Sequence, residues 1–350
     1  MTPPTVKNLA IENSNAWRVV LAVMALLPGS FRSEAIEADR LDISAWKLEA
    51  GGKGWKVEGR FDGGEDLSGG AAMGGSHGFV VSDETRAVQA IVIDAANGKV
   101  KSGLSIDLSN ETGSEFDLEG IAAAPAESCY YATGSHGVSR KKDKVESDRS
   151  LVFQIAVDAS SGRVREGGVE RASLRPSLKA DPVLSAALDK SVSGGGLDIE
   201  GIAWKAGALF FGLRAPLPEG ASMVVEVDAA ALFRVGKKTE LKRHSLSLGK
   251  GDGVSDIASL REGFLVLSGP SQSEDDSPRG EGHSRLHYWA GSGSDPIMLG
   301  EVTPPGAGKA EAIMVLRDDE AAIEVLVFHD GVKNGAPTLW RIKKQGEAVN

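Results

Sequence analysis

Short apolar runs recur along the chain at a nearly regular spacing: Phe79-Val-Val81, Cys129-Tyr-Tyr131, Leu209-Phe-Phe211, Phe264-Leu-Val-Leu267 and Val325-Leu-Val-Phe328. They are rich in β-branched and aromatic residues and bounded by Gly, Ser and Asp, which predicts strands buried on both faces. About ten residues ahead of each run stands a segment built on an acidic or hydroxyl residue. Three copies are strong: Asp66-Leu-Ser68-Gly69, Asp117-Leu-Glu119-Gly120-Ile-Ala and Asp198-Ile-Glu200-Gly201-Ile-Ala. Two are weaker: Ser255-Asp256-Ile-Ala and Glu311-Ala-Ile313-Met. With the anchors at positions 68, 119, 200, 255 and 311, the steps are 51, 81, 55 and 56. A period near fifty in a turn-rich chain predicts an all-β repeat fold, a β-propeller.

A third strand is predicted in each unit, over Ala87–Asp94, Leu151–Asp158, Met223–Asp228, Arg285–Trp289 and Thr338–Ile342. The first two run into Asn97-Gly98 and Ser161-Gly162, which predict hairpins into a fourth strand. Two insertions explain the long step. One is the charged stretch Gly137–Arg149, between the second and third strands of its unit. The other is Ser173–Gly196, where Asp181-Pro182 predicts the N-cap and first residue of a short helix over Val183–Lys190, outside the core. The final unit runs out after three strands near Lys344. The alternating segment Trp55–Phe61 predicts its fourth strand, closing the ring and removing the open edge. Five blades follow; six is the alternative if residues 39–54 add a degenerate blade. The boundaries expected are a leader over residues 1–38, one propeller domain over 39–345 and a tail over 346–350.

Composition fits this plan. Gly is 44 of 350 residues, suiting many tight turns. A net charge of −10 excludes a nonspecific nucleic-acid binder. The lone Cys129 allows no disulfide framework and reads as a buried inert thiol. No apolar run is long enough for a transmembrane helix. Arg18 followed by the apolar Val19–Leu27 and Pro28-Gly29-Ser30 fits a signal peptide, with Ser33-Glu-Ala35 as cleavage region. Export, to the periplasm, is favoured over the cytoplasm. A disordered leader or a short packed helix is the alternative, given the long acidic-containing segment before Arg18. A monomer is expected.

Repeat geometry sorts the polar residues into two sets. Glu119, Glu200 and Glu311, with Ser68 and Ser255, open the first strand of each blade and form a ring. Three converging carboxylates repel each other. They call for a hard cation such as Ca²⁺, for raised carboxylate pKa values that make a general acid or base, or for purely structural pairing. Beyond the second strands lie Asp83, Ser135, His136, Arg214, His329 and Asp330, with Asp330 at the repeat position of Asp83. This rim would bind a small anionic ligand, with Arg214 as bidentate clamp; otherwise Arg214 neutralises the Glu ring. The catalytic candidates are Glu119, Glu200 and His136. The loops Arg140–Lys144 and Ser271–Arg285 read as solvated. No P-loop, zinc spacing, nucleophile elbow or dinucleotide fingerprint occurs.

The Asp-Leu-Glu-Gly-Ile-Ala and Leu-Asp-Ile-Glu-Gly-Ile-Ala segments occur in order with Thr-Gly-Ser-His, Gly-Leu-Arg-Ala-Pro-Leu and Leu-Ser-Gly-Pro-Ser. Together they resemble an uncharacterised bacterial family, domain of unknown function 3616, over roughly residues 60–344. That resemblance implies a fold group and transfers no catalytic residue. A looser likeness, through the Glu-Gly-Ile-Ala strands, runs to phytase-like and esterase-like propellers and implies a calcium-assisted hydrolase. The expectation is a propeller binding a small anionic ligand or a cation at its channel mouth, with hydrolysis of phosphate or carboxylic esters as its activity. The alternative is a non-catalytic platform for a protein partner.

Overall fold

Alternation of apolar residues with Gly-bounded turns produces five antiparallel four-stranded blades in the computed structural model. It describes residues 46–343 except 53, 110–112, 114, 140–143, 159, 235–238 and 272–282. The leader and tail, and any signal peptide, lie outside the described residues, as do the centres of both charged loops. Blade 1 comprises Leu67–Met73, His77–Ser82, Ala87–Asp94 and Lys99–Asp107, from the channel outwards. Blade 2 comprises Leu118–Ala124, Cys129–Gly134, Val152–Val157 and Val164–Ala172. Blade 3 comprises Asp198–Lys205, Ala208–Ala215, Ser222–Asp228 and Leu241–Leu246. Blade 4 comprises Asp252–Ser259, Phe264–Pro270, Ser284–Trp289 and Ile297–Val302. Blade 5 comprises Lys309–Asp318, Ala322–Asp330, Thr338–Lys343 and, from the other end of the chain, Lys47–Ala50. Each innermost strand packs on the next, and that of blade 5 on that of blade 1.

Ring closure corrects the expectation for Trp55–Phe61. The strand completing blade 5 is Lys47–Ala50, antiparallel to Thr338–Lys343 with Lys47 opposite Lys343. It comes from the stretch considered for a sixth blade. Lys56–Glu58 instead pairs in parallel with Lys99–Lys101 on the outer edge of blade 1. The chain must travel from the rim of blade 5 to the channel side of blade 1, and it follows that edge on the way. Its alternation still serves closure by packing. Phe61 is fully buried beside Leu67, Met314 and Phe328 between blades 5 and 1, and Phe61 N–H donates to Asn334 Oδ1 (3.0 Å).

The second insertion also differs. Its α-helix is Arg175–Ala180, and Leu184–Ala186 makes one 3₁₀ turn in place of the helix over Val183–Lys190. Asp181 does cap, accepting from the Val183 and Leu184 N–H groups (2.9 and 3.0 Å). Leu178, Leu184 and Leu188 then enter the core between blades 2 and 3, rather than lying outside it. Burial of these leucines, each contributing about 2 kcal/mol, outweighs continuation of a short solvent helix.

Glycine fixes the channel's waist. A Cβ on Gly120 would stand 3.0 Å from Ile202 N, and one on Gly201 2.7 Å from Ile257 N and 2.8 Å from Asp256 Cα. Inner strands of neighbouring blades therefore meet backbone to backbone. Blade 4 has Asp256 at this place. Its carboxylate accepts from Ile257 N–H (2.7 Å) and, across the joint to blade 5, from Ile313 N–H (2.8 Å).

Candidate functional site

All five anchors are bulged residues. The inner ladder skips a residue between Leu67 and Gly69, Leu118 and Gly120, Ile199 and Gly201, Val254 and Asp256, and Ala310 and Ala312. The residues left over are Ser68, Glu119, Glu200, Ser255 and Glu311. Side chains of an ordinary inner strand point to the neighbouring blades. A bulge re-aims one of them, so Ser68, Glu119, Glu200 and Glu311 reach the wall of a cavity of about 290 Å³ at one end of the channel. At the other end the channel shrinks to about 70 Å³ between small and aliphatic residues such as Ala71, Ala122 and Ala203.

The mouth has two tiers. Below lies the ring of anchors. Above it, two residues earlier on the inner strands, stand Asp66, Asp117 and Asp198; Asp83 and Asp330 join them from the second strands. Lys309 faces Asp330 in the ladder, and Leu67 faces Ser82, which sets Asp83 opposite Asp66. Asp83 and Asp330 thus share one repeat position, as their spacing predicted.

Three cations from the chain itself offset part of this charge. Arg214 is also a bulged residue, since Ile199 faces Leu213 while Asp198 faces Ala215. Two bulges in one ladder bring Arg214 Nη1 to Glu200 Oε1 at 2.9 Å, with 6% and 7% of the two residues exposed. Arg214 Nε donates to Pro270 O (3.3 Å). Burial pushes Glu200 upward, but Arg214, Lys309 and hydrogen bonds from Arg214 and Asp198 outweigh it and hold its carboxyl below the usual range. Arg149, the last residue of the charged insertion, pairs with Asp117 and donates to Ser135 Oγ (3.3 Å). Lys309 pairs with Glu311.

Four other carboxyls of the wall, Glu119, Asp117, Asp83 and Glu311, are pushed upward. Burial first, then Asp117, Glu200, Asp198 and Asp83, push Glu119 well above the usual carboxyl range. Glu119 shares a hydrogen bond with Asp117, which is itself raised by burial against the pull of Arg149. Burial and the charges of Asp117, Asp66, Glu84 and Asp330 raise Asp83 to about 8. Glu311 is raised by burial, with Lys309 opposing.

Of the residues expected at the rim, Arg214, Asp83 and Asp330 line the cavity, whereas Ser135, His136 and His329 stand behind its wall. Ser135 is consumed by Arg149 and by Gly137 N–H (3.1 Å). His136 is 1% exposed, with Nδ1 on Gly134 O (2.9 Å), and burial drops its pKa to about 4. His329 Nε2 bonds Thr338 Oγ1 (3.0 Å), and burial lowers it likewise to about 4. Neither imidazole reaches the cavity as a base. Spacing around the anchors alone missed Arg149, Lys309 and the upper-tier Asp117 and Asp198. The repeated Asp two residues before each strong anchor was the available signal. Among the described residues no group of three or more His, Cys, Asp or Glu is arranged to hold a metal ion. The carboxylates are spread over two tiers and several are already paired, which does not fit a calcium cage. Also among the described residues, no helix is long and apolar enough to cross a membrane.

The model of a family described as a protein of unknown function (DUF3616) matches residues 66–156 and 154–343. No curated protein matches the sequence. Solved structures similar to this chain include a putative gluconolactonase at 11% identity, covering 86% of this chain and 92% of that one, with a TM-score of 0.42. An exo-β-1,3-galactanase from Phanerochaete chrysosporium is 10% identical over 84% of this chain and 64% of its own, with a TM-score of 0.42. Hydrazine synthase of Kuenenia stuttgartiensis is 11% identical over 77% of this chain, which spans 58% of that protein's length, with a TM-score of 0.36. None of these likenesses bears on what the mouth does.

Proposed function

This chain belongs to the DUF3616 family of proteins of unknown function, so its chemistry rests on its own channel, and we propose that the propeller's mouth binds a small cationic ligand. One observation carries the reading: ten acidic side chains line the cavity against two arginines, Arg149 and Arg214. Both arginines are engaged by Asp117 and Glu200. An anion entering the mouth would meet net negative charge, and the clamp expected of Arg214 is already closed on Glu200 and Pro270. Protons on Glu119 and Asp83 stand in for cations that the wall does not supply. A cationic ligand displaces them and gains charge-assisted hydrogen bonds in a site of low dielectric.

Calorimetric titration with alkylammonium, guanidinium and Ca²⁺ salts, against phosphate and acetate, tests this. The organic cations are expected to bind more tightly as pH rises, with release of protons. Binding of phosphate or acetate in preference to every cation would overturn it. Ester hydrolysis has one observation in its favour, Glu119 hydrogen-bonded to Asp117 with its carboxyl pushed well above the usual range by burial, an arrangement suited to general acid work. In a panel of phosphate and carboxylic esters, equal rates for wild type and Glu119→Gln would remove it.

A further inference from the structure

Among the described residues three carboxylate oxygens of the mouth are buried without a hydrogen-bond partner, Asp83 Oδ1, Asp117 Oδ2 and Glu311 Oε2; Asp117 Oδ2 is ion-paired with Arg149, which leaves Asp83 and Glu311. They belong to adjacent blades and to different tiers. Glu311 is an anchor of the lower ring, 9% exposed, and it turns Oε1 to Lys309. Asp83 is in the upper tier, and the groups acting on it most strongly, Asp117, Asp66, Glu84 and Asp330, are all acidic. Lys309 therefore satisfies half of Glu311, whereas the strongest charges on Asp83 only repel it.

From these positions we infer that the mouth takes a linear diammonium ligand, one head on Asp83 in the upper tier and the other on Glu311 in the ring below. The inference rests on the cation reading above. Asp83 lies level with Asp66, two strand residues above the ring position of Ser68. At about 3.3 Å per residue, the tiers are roughly 7 Å apart along the channel. A short α,ω-diamine with about four or five methylenes spans that distance when extended. A bare metal ion or a single ammonium would leave one oxygen unserved, at a cost comparable to a lost buried hydrogen bond. The cavity, about 290 Å³, is at the small end of ligand pockets, which suits a ligand of this size. Val138 and Val192 in the wall offer aliphatic contact to the methylenes.

The test is calorimetry of the full chain with putrescine, butylamine and Ca²⁺, repeated on Asp83→Asn. Putrescine is expected to bind at least about tenfold more tightly than butylamine, because its second head binds at high effective concentration. Asp83→Asn should bring putrescine down to about the affinity that butylamine shows for the same variant. Thermal melts establish that the near-isosteric variant is folded, and Asp330→Asn, removing a neighbouring acid, serves as a second variant expected to retain the preference for putrescine. Equal binding of the two amines, or full putrescine affinity in Asp83→Asn, overturns the diammonium inference while the cation reading stands. Binding of Ca²⁺ without either amine also overturns it. If none of the three cations binds, the cation reading itself fails.

Discussion

Replacing Asp83 with Asn tests the electrostatics of the mouth through stability alone, with no ligand. Burial, then the neighbouring Asp117, Asp66, Glu84 and Asp330, hold off its ionisation to about 8. In the unfolded chain an Asp carboxyl ionises at about 3.9. Between these values the folded protein keeps a proton that the unfolded chain has released. The native state binds more protons, so stability falls as pH rises through the window. The limiting slope is about 1.4 kcal/mol per pH unit, or ~6 kcal/mol over the whole interval. Asp83 keeps partial contact with cavity water, and screening brings the expected loss to about 2–3 kcal/mol. Asp83→Asn preserves shape and removes the titration. Near pH ~4 the two proteins should be similarly stable, and near pH ~8 the variant should be the more stable by that 2–3 kcal/mol. Urea unfolding followed by circular dichroism, at fixed ionic strength across the range, gives the two curves. Parallel curves would refute the reasoning, because they would mean that Asp83 ionises alike in both states.

Further expectations concern the pair, the histidines and the waist. Arg214→Met leaves Glu200 buried without its guanidinium and should destabilise by about 3–5 kcal/mol in urea unfolding, with most of the loss recovered in Arg214→Met/Glu200→Met; a single variant within experimental error of wild type would show that the pair adds nothing. His136, His287 and His329 are each lowered by burial to about 4. For a base this means that the unfolded chain gains protons first as pH falls below about 6.5, so these residues withdraw stability between about 6.5 and 4. Their ring resonances should stay those of neutral imidazole down to pH ~5 in NMR titration, and protonation near pH ~6.5 would contradict their burial. Gly201→Ala should cost about 2 kcal/mol or more in unfolding experiments, since the new Cβ meets the backbone of blade 4. A neutral result would place slack at the waist where the inner strands touch.

Much of this fold was legible because propeller repeats restate one pattern. The third strands at Ala87–Asp94 and Thr338–Ile342, the hairpins at Asn97-Gly98 and Ser161-Gly162, and the places of the two insertions all followed from local periodicity and turn chemistry. Closure was not legible. Lys47–Ala50 carries one apolar residue deep enough to matter, Leu48, and its partners lie almost three hundred residues away. The more persuasive alternation of Trp55–Phe61 belongs to a segment that packs Phe61 but ladders elsewhere. The short helix failed for a related reason: capping signals at Asp181 are local, whereas burial of Leu178 and Leu184 between two blades is not.

At the site, the sequence by itself determined which residues share a level. Glu119, Glu200 and Glu311 recur at one repeat position, and any copy of the same strand must put them at one height in the ring. It also aligned Asp330 with Asp83 across the whole chain. What those residues meet was decided by tertiary structure. Bulges turn Ser68, Glu119, Glu200 and Glu311 from the blade interfaces to the channel, and a second bulge swings Arg214 onto Glu200. An insertion returns to bring Arg149 to Asp117, while His136 and His329 are folded behind the wall. The reason is physical. Periodicity fixes backbone height and strand order, but the direction of a side chain and the company its charge keeps depend on contacts between blades that no local pattern encodes.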